Sequence, residues 1–235
     1  MIAFPILAGL VSLAFGLHLA LRWVRRRAPH EGLWSVAMLL FAGASAALAL
    51  GIRDGWSPGE FRTYWLLGAV LNVPFLAQGE IYLLVRRRRW IAHLGLLALL
   101  GGTAWAVTVV WSAPLHAGML RDTFPLGREV FGDGTAAHRL AQLFSFPAYF
   151  LLLGGATYAA GRMRGHPDLR RRFQGTALIA VGATIVAIGS GVGAGLGNFA
   201  LFSSALAGGA AVMYWGFLVA TRPAPGLQAP SNRAT

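Results

Sequence analysis

Hydrophobic residues dominate the chain in seven long segments, which are separated by short polar stretches rich in arginine. Each segment is close to the roughly 20 residues that an α-helix needs to cross the hydrocarbon core of a bilayer. The pattern therefore predicts an all-α, polytopic transmembrane bundle of seven helices. The predicted spans are Ile2–Leu21, Leu33–Ile52, Thr63–Val85, Trp90–Trp111, Leu140–Ala160, Thr176–Leu196 and Phe199–Ala220.

The last two spans form one apolar stretch that is too long for a single crossing. A helix of about 45 residues would reach roughly 67 Å, whereas the hydrocarbon core is about 30 Å thick. The stretch must fold back, and Gly195-Leu196-Gly197-Asn198 is the predicted turn because glycine and asparagine interrupt helices. The first span has no basic residue before it, which indicates an uncleaved helix rather than a signal peptide.

Arginine is distributed unevenly between the two sides of the predicted bundle. Fifteen of the 20 basic residues follow the odd-numbered spans, and five follow the even-numbered spans. The positive-inside rule assigns the richer side to the cytoplasm. The N-terminus is therefore predicted outside and the C-terminus in the cytoplasm of a multi-pass protein of the plasma membrane. The transmembrane domain is predicted over residues 1–222, and residues 223–235 are predicted to form a flexible cytoplasmic tail.

Composition narrows the classes of function that the chain can have. It is 56% hydrophobic and 12% charged, about half the charge of an average soluble domain. Every one of its 20 basic residues is arginine, so no lysine can form a Schiff base with retinal or pyridoxal phosphate. The chain also has no cysteine, which excludes disulfides, thiolate catalysis and Fe–S ligation.

The net charge of +12 does not indicate nucleic-acid binding, because the arginines lie in clusters at the ends of the predicted spans. Clusters in that position set the topology and contact anionic lipid headgroups. The predicted partners are accordingly the lipid bilayer and the anionic headgroups at the cytoplasmic arginine clusters, with no nucleic acid. The sequence is also compatible with an oligomer.

Glu80 is the most informative polar residue, because it is the acid that lies well inside a predicted span. A carboxylate within a membrane is costly unless it is paired, protonated or exposed to a wet cavity. Pro74 in the same span removes a backbone donor, and Asn72 and Gln78 add polar side chains. This combination favours a pathway for a solute or for protons.

Two histidines are predicted at a depth similar to that of Glu80. His18 lies near the end of the first span, and His93 lies near the start of the fourth. Convergence of these three residues would suit a proton relay, a divalent metal site or a haem held by the two histidines. A purely structural cluster is the alternative, since the rotation of each helix about its axis is not fixed by the sequence.

The sixth predicted span is rich in glycine. Gly189, Gly193 and Gly197 recur every four residues, a spacing that lets two membrane helices approach closely. The seventh span offers Ala205 and Gly209 as small residues opposite them. We therefore predict tight packing between the last two helices.

The longest polar segment runs from Ser112 to His138 and is predicted to lie outside. Long loops are often functional, and the alternative is a solvated cap over the bundle. Several parts of the chain resemble a known type of membrane protein. They are Phe61–Pro74, Gly79, Tyr82-Leu83-Leu84, Gly127-Arg128-Glu129-Val130 and the glycine-rich sixth span. On these residues the chain resembles uncharacterised seven-helix integral membrane proteins of high-GC actinobacterial type, for which the resemblance implies no activity.

Three functions follow from these features. The first is a small transporter or channel-like protein in which Glu80 responds to protons or cations. The second is a non-catalytic scaffold or sensor that acts through the outer segment Ser112 to His138. The third is a haem-binding redox protein with His18 and His93 as ligands.

Overall fold

The computed structural model describes residues 2–85, 87–121, 124–164 and 169–221. Within these ranges the chain forms seven helices that are long and apolar enough to cross a membrane, and it forms no β-strand. This confirms the predicted all-α bundle and the number of spans, while the predicted tail lies outside the described residues. The helices are α1 (Ala3–Arg26), α2 (Pro29–Asp54), α3 (Pro58–Leu84), α4 (Arg89–Ser112), α5 (Ala136–Met163), α6 (Arg170–Gly193) and α7 (Phe199–Thr221).

Six of the seven helices form a closed ring. Neighbours in the ring are α1 and α2, α2 and α3, α3 and α5, α5 and α6, α6 and α7, and finally α7 and α1. The remaining helix, α4, packs on the outside of the ring against α3 and α5. Its side chains Leu94, Leu97 and Leu100 are 56%, 65% and 50% exposed, which suits a surface in contact with lipid tails.

Successive helices run antiparallel, so the ends that carry Arg25, Arg87 and Arg170 fall on one side of the bundle. We call this side the arginine-rich end and the other side the opposite end. The predicted cytoplasmic location of the arginine-rich end stays a prediction from the arginine bias.

The first turn of α3 is fixed by a capping box. The backbone N–H of Glu60 donates to Ser57 Oγ at 3.2 Å, and the backbone N–H of Ser57 donates to Glu60 Oε2 at 2.8 Å. These two bonds satisfy donors that the start of a helix leaves without partners. The helix therefore begins before its apolar segment, at Pro58.

The middle of α3 departs from regular α geometry. Residues Trp65–Leu71 form a π-helical turn, and Pro74 follows within the helix. Since Pro74 has no N–H, a carbonyl one turn earlier loses its partner, either Val70 in an α-helix or Ala69 in a π turn. Ser145 on α5 donates its hydroxyl hydrogen to Ala69 O at 2.7 Å. This hydrogen bond joins the irregular turn of α3 to α5.

Helices α6 and α7 pack through glycines whose backbones nearly touch. A Cβ atom on Gly182 would lie 2.6 Å from the carbonyl oxygen of Gly209, and one on Gly209 would lie 2.7 Å from that of Gly182. Gly175 and Gly216 form a second reciprocal pair, with corresponding distances of 2.5 Å and 2.7 Å. The pairs recur seven residues apart along each helix, which keeps them on one face.

The three glycines that the sequence singled out play two different roles. Gly189 faces Ala205, and a Cβ on Gly193 would lie 2.8 Å from the backbone nitrogen of Phe202, so both lie in the α6–α7 contact. Gly197 does not: nothing lies within 4 Å of its Cβ position, and its φ of +64° places it in the left-handed turn between the helices. The expectation that Gly197 packs between the helices is wrong, because the helix ends before the spacing reaches it.

The opposite end of the bundle is filled by aromatic and aliphatic side chains. Phe61 lies with its ring centroid 5.5 Å from that of Phe131, and Trp65 lies 5.8 Å from Phe131. Phe61, Val130 and Phe131 are almost completely buried. Phe124 adds contacts to α7, with its centroid 4.8 Å from that of Phe202. This half of the ring is therefore closed by packed side chains.

Candidate functional site

A cavity of about 110 Å³ lies inside the ring. All six ring helices line it, whereas α4 contributes no residue to the described lining. Along α5 it extends from Tyr149 to Ala159, about 15 Å at 1.5 Å per residue. It occupies the half of the bundle next to the arginine-rich end. One lining residue from each ring helix, in chain order, is Phe15, Trp34, Glu80, Tyr149, Thr176 and Phe217.

Glu80 supplies the carboxyl group of this cavity. Its side chain is buried, with 7% of the residue exposed, and it lies against Gly155 of α5. A Cβ on Gly155 would lie 2.6 Å from Glu80 Cγ and 2.8 Å from Glu80 Oε1. The absence of a side chain at residue 155 therefore creates the space that the carboxyl group occupies.

Trp34 of α2 fixes the other side of the same turn. Its indole N–H donates to the carbonyl oxygen of Leu76 at 3.0 Å, and the indole ring lies directly against Gly79. These two contacts hold the indole ring against Gly79, the residue that precedes Glu80. The carboxyl group and the indole ring are thus positioned by neighbouring residues of α3.

No hydrogen bond or ion pair reaches the carboxyl group of Glu80 from the residues that the structure describes. Nor does the described cavity lining include an arginine or a histidine, and Tyr149 is its other titratable residue. A carboxylate without a partner is unfavourable away from water. Glu80 therefore needs a proton, a cation or water within the cavity.

Asn72 and Gln78, which the sequence grouped with Glu80, have other contacts. Asn72 Nδ2 donates to the carbonyl oxygen of Ala37 on α2, and Gln78 Nε2 donates to that of Ala92 on α4, both at 2.7 Å. The two amides are buried and join α3 to its neighbours on either side. They hold Glu80 in place through α3 and are not part of the described cavity lining.

The two histidines also lie apart from the carboxyl group. The hydroxyl of Tyr214 on α7 lies 3.4 Å from His18 Nδ1, and the ring of Phe217 lies across that of His18 with 5.1 Å between centroids. The hydroxyl of Tyr82 on α3 lies 2.9 Å from His93 Nδ1. The described residues contain no group of three His, Asp or Glu side chains that could hold a metal ion. His18 and His93 thus have described partners other than Glu80, because α1 and α4 present their histidines to different neighbours.

A partly buried ion pair that sequence reasoning missed lies at the arginine-rich end of the bundle, next to the cavity residue Phe217. Arg22 Nε and Nη2 both donate to Glu31 Oε1, at 2.9 Å and 2.7 Å, and the guanidinium lies 5.1 Å from the centroid of Phe217. Phe217 itself lines the cavity. The second oxygen of Glu31 is buried and has no partner among the described residues. The sequence feature that could have revealed this pair is Glu31 itself, an acid nine residues after Arg22 within a stretch that is otherwise basic.

The segment from Ser112 to His138, predicted as an outer loop, folds back onto the bundle. The N–H of His116 donates to the carbonyl oxygen of Val130 at 2.9 Å, and Gly127 lies directly against the ring of Trp65. Its described residues include two short helical turns, Ala117–Arg121 and Gly127–Val130. Its buried side chains Leu120, Val130 and Phe131 belong to the packed opposite end and do not line the cavity.

Comparison with known proteins adds no function to this geometry. No protein-family model matches the chain, and neither a curated protein nor a solved structure shows significant similarity to it.

Proposed function

We propose that this multi-pass membrane protein is a small transporter or channel-like protein, in which Glu80 is the group that responds to protons or cations. The observation that carries the proposal is a buried carboxyl group, without a described partner, in a cavity enclosed by six helices. Intramembrane acids with this exposure to a cavity are typical of ion and proton pathways.

The shape of the bundle supports movement of a solute from one side. The cavity occupies the half next to the arginine-rich end, and packed aromatic residues fill the opposite half. A solute that enters the cavity would reach Glu80 and stop there. Complete passage then requires a rearrangement of the closed half, and the π-helical turn Trp65–Leu71 lies there. π-Helical turns inside α-helices are frequent at functional sites.

Ion flux in proteoliposomes tests the proposal. We would set a membrane potential with potassium and valinomycin and follow internal pH with the dye pyranine. Uptake of rubidium would be followed in separate vesicles without valinomycin, because valinomycin itself carries rubidium. Wild-type protein should move protons or rubidium faster than empty vesicles do, and Glu80→Gln should reduce the rate at least tenfold. The substitution keeps the shape of the side chain and removes its charge.

Glu60→Gln is the matched control for this experiment. Glu60 is a partly exposed acid in the capping box of α3, outside the cavity lining, and glutamine can replace it in that role. The control should retain the wild-type flux. The proposal would be rejected if Glu80→Gln moved both ions as fast as the wild type, or if the wild type moved neither ion faster than empty vesicles.

A further inference from the structure

We infer that the central cavity binds a small alkylated ammonium ion, held by the Glu80 carboxylate and by aromatic side chains of four different helices. The inference rests on the proposed function in one respect, the assignment of Glu80 as the ion-responsive group, and it adds the chemical class of the ligand.

The charges around the cavity select a cation. Glu80 provides a carboxyl group without a described partner, and the described lining holds no arginine or histidine to attract an anion. A neutral apolar ligand would leave this carboxylate buried and unpaired, which is unfavourable. A ligand with a positive charge would supply the missing partner.

The number of oxygen atoms argues against a bare metal ion. Calcium takes six to eight oxygen ligands, and magnesium demands a near-octahedral set. Besides the Glu80 carboxyl, the described lining offers two side-chain hydroxyls, those of Tyr149 and Thr176. The hydroxyl of Tyr149 already donates to Thr184 Oγ1 at 3.2 Å. The cavity therefore suits a cation whose own surface is apolar and needs few oxygen ligands.

Aromatic rings provide the second part of the site. Phe15, Trp34, Tyr149 and Phe217 line the cavity from α1, α2, α5 and α7. The indole N–H of Trp34 is occupied by Leu76 O, so the indole can offer its ring but not its donor to a ligand. Aromatic rings arranged around one space attract alkylated ammonium groups through their negative faces.

The volume limits the size of the ligand. A protein cavity of about 150 Å³ admits benzene, a molecule with six heavy atoms. By proportion, the cavity of about 110 Å³ suits a ligand of roughly four to five heavy atoms, such as tetramethylammonium. Each heavy atom of a ligand contributes a limited free energy of binding, so the affinity of such a small ligand is limited. Ligand concentrations in the titrations should therefore extend to tens of millimolar.

Three probes separate the contributions of charge, shape and apolar surface. Tetramethylammonium has both the charge and the apolar surface, tert-butanol has the same number of heavy atoms without a charge, and sodium has the charge alone. We would measure binding of each to the purified full-length chain in nanodiscs by isothermal titration calorimetry. Saturable binding of tetramethylammonium at least tenfold tighter than binding of the other two is expected.

Substitutions at two positions test the proposed contacts. Glu80→Gln should weaken tetramethylammonium binding at least tenfold. Two variants at residue 149 form a matched pair: Tyr149→Phe removes the hydroxyl alone, and Tyr149→Leu removes the hydroxyl and the ring. The affinity of Tyr149→Phe for tetramethylammonium should be within about twofold of the wild-type value. Tyr149→Leu should bind roughly fivefold to thirtyfold more weakly, the range expected for one desolvated cation–π contact. A monodisperse elution profile and an unchanged unfolding temperature identify the variants that are folded.

The inference would be overturned by absence of saturable tetramethylammonium binding to the wild type, or by equal binding of tert-butanol or sodium. Equal affinities of Tyr149→Leu and Tyr149→Phe, or retained binding in Glu80→Gln, would also overturn it. The two proposals fail separately. Ion flux without tetramethylammonium binding rejects the ligand class alone, whereas binding without any flux rejects the transport function and leaves a ligand site.

Discussion

Ser145 on α5 donates its hydroxyl hydrogen to the carbonyl oxygen of Ala69 on α3, over a distance of 2.7 Å. A proline five residues after Ala69 would leave this carbonyl without a partner if no other donor replaced the missing N–H. We infer that the hydroxyl compensates for Pro74 from a neighbouring helix. In this way Ser145 Oγ stabilises both the irregular turn of α3 and the contact between α3 and α5.

Ser145→Ala should lower the free energy of unfolding by about 1 kcal/mol, the typical value for a hydrogen bond between membrane helices. Thermal unfolding in detergent would measure the change. Ser112→Ala serves as the control, because its hydroxyl donates to Thr108 O within its own helix and on an exposed surface. Ser145→Ala should also cost less in a Pro74→Ala background, where a backbone N–H can replace the hydroxyl. Equal costs in both backgrounds would contradict this explanation.

Gly182→Ala should destabilise the protein by roughly 2–3 kcal/mol. The new methyl group would collide with the carbonyl oxygen of Gly209 and force α6 and α7 apart. Gly191→Ala on the same helix has no atom within 4 Å of its Cβ position, so it should leave stability unchanged or slightly raised. Thermal unfolding of the two variants side by side decides the matter: similar midpoints would show that the α6–α7 contact is looser than the structure indicates.

Gly155→Ala should disturb the cavity without changing any charge. Its methyl group would displace the Glu80 side chain, so ion flux and tetramethylammonium binding should both fall severalfold. The neighbouring Gly154 has open space at its Cβ position, and Gly154→Ala should behave as the wild type. If the two variants bind the probe equally well, the position of the Glu80 carboxyl group does not control the site.

Arg22→Met should destabilise the protein by roughly 3 kcal/mol, because it leaves Glu31 buried without its charged partner. The double variant Arg22→Met, Glu31→Gln removes the unpaired charge and should recover most of that loss. The comparison is made by thermal unfolding of the single and double variants. A double variant no more stable than the single one would show that Arg22 acts by packing on Phe217 rather than by pairing with Glu31.

The number of helices and the turn near Gly197 could be predicted because hydrophobicity and length alone determine them. Helix ends were less well predicted. The apolar segment of α3 begins at Thr63, whereas the helix begins at Pro58, since the Ser57–Glu60 capping box is polar and lies beyond the hydrocarbon pattern. Hydropathy therefore locates the part of a helix in lipid and misses the turns that extend past it.

The candidate site was less accessible to sequence reasoning, because rotation about each helix axis decides which side chains meet. Glu80 was identified by its chemistry alone. Its surroundings were not, since His18 and His93 matched it in depth but contact Tyr214 and Tyr82 instead. Gly155 and Trp34, which position the carboxyl group, carry no signal in the sequence beyond being a glycine and an aromatic residue within apolar spans.

The position of α4 outside the ring has a consequence for the symmetry of the molecule. With α4 as a return crossing, α1–α3 and α5–α7 enter the ring in the same direction, and each pair of neighbouring helices in one block corresponds to a pair in the other. The connectivity is therefore that of a pseudo-twofold arrangement about the centre of the ring. A single carboxyl group breaks it: α3 supplies Glu80, whereas its counterpart α7 supplies Met213 and Phe217 to the cavity. A ligand in this cavity would meet a charged block on one side and an uncharged block on the other.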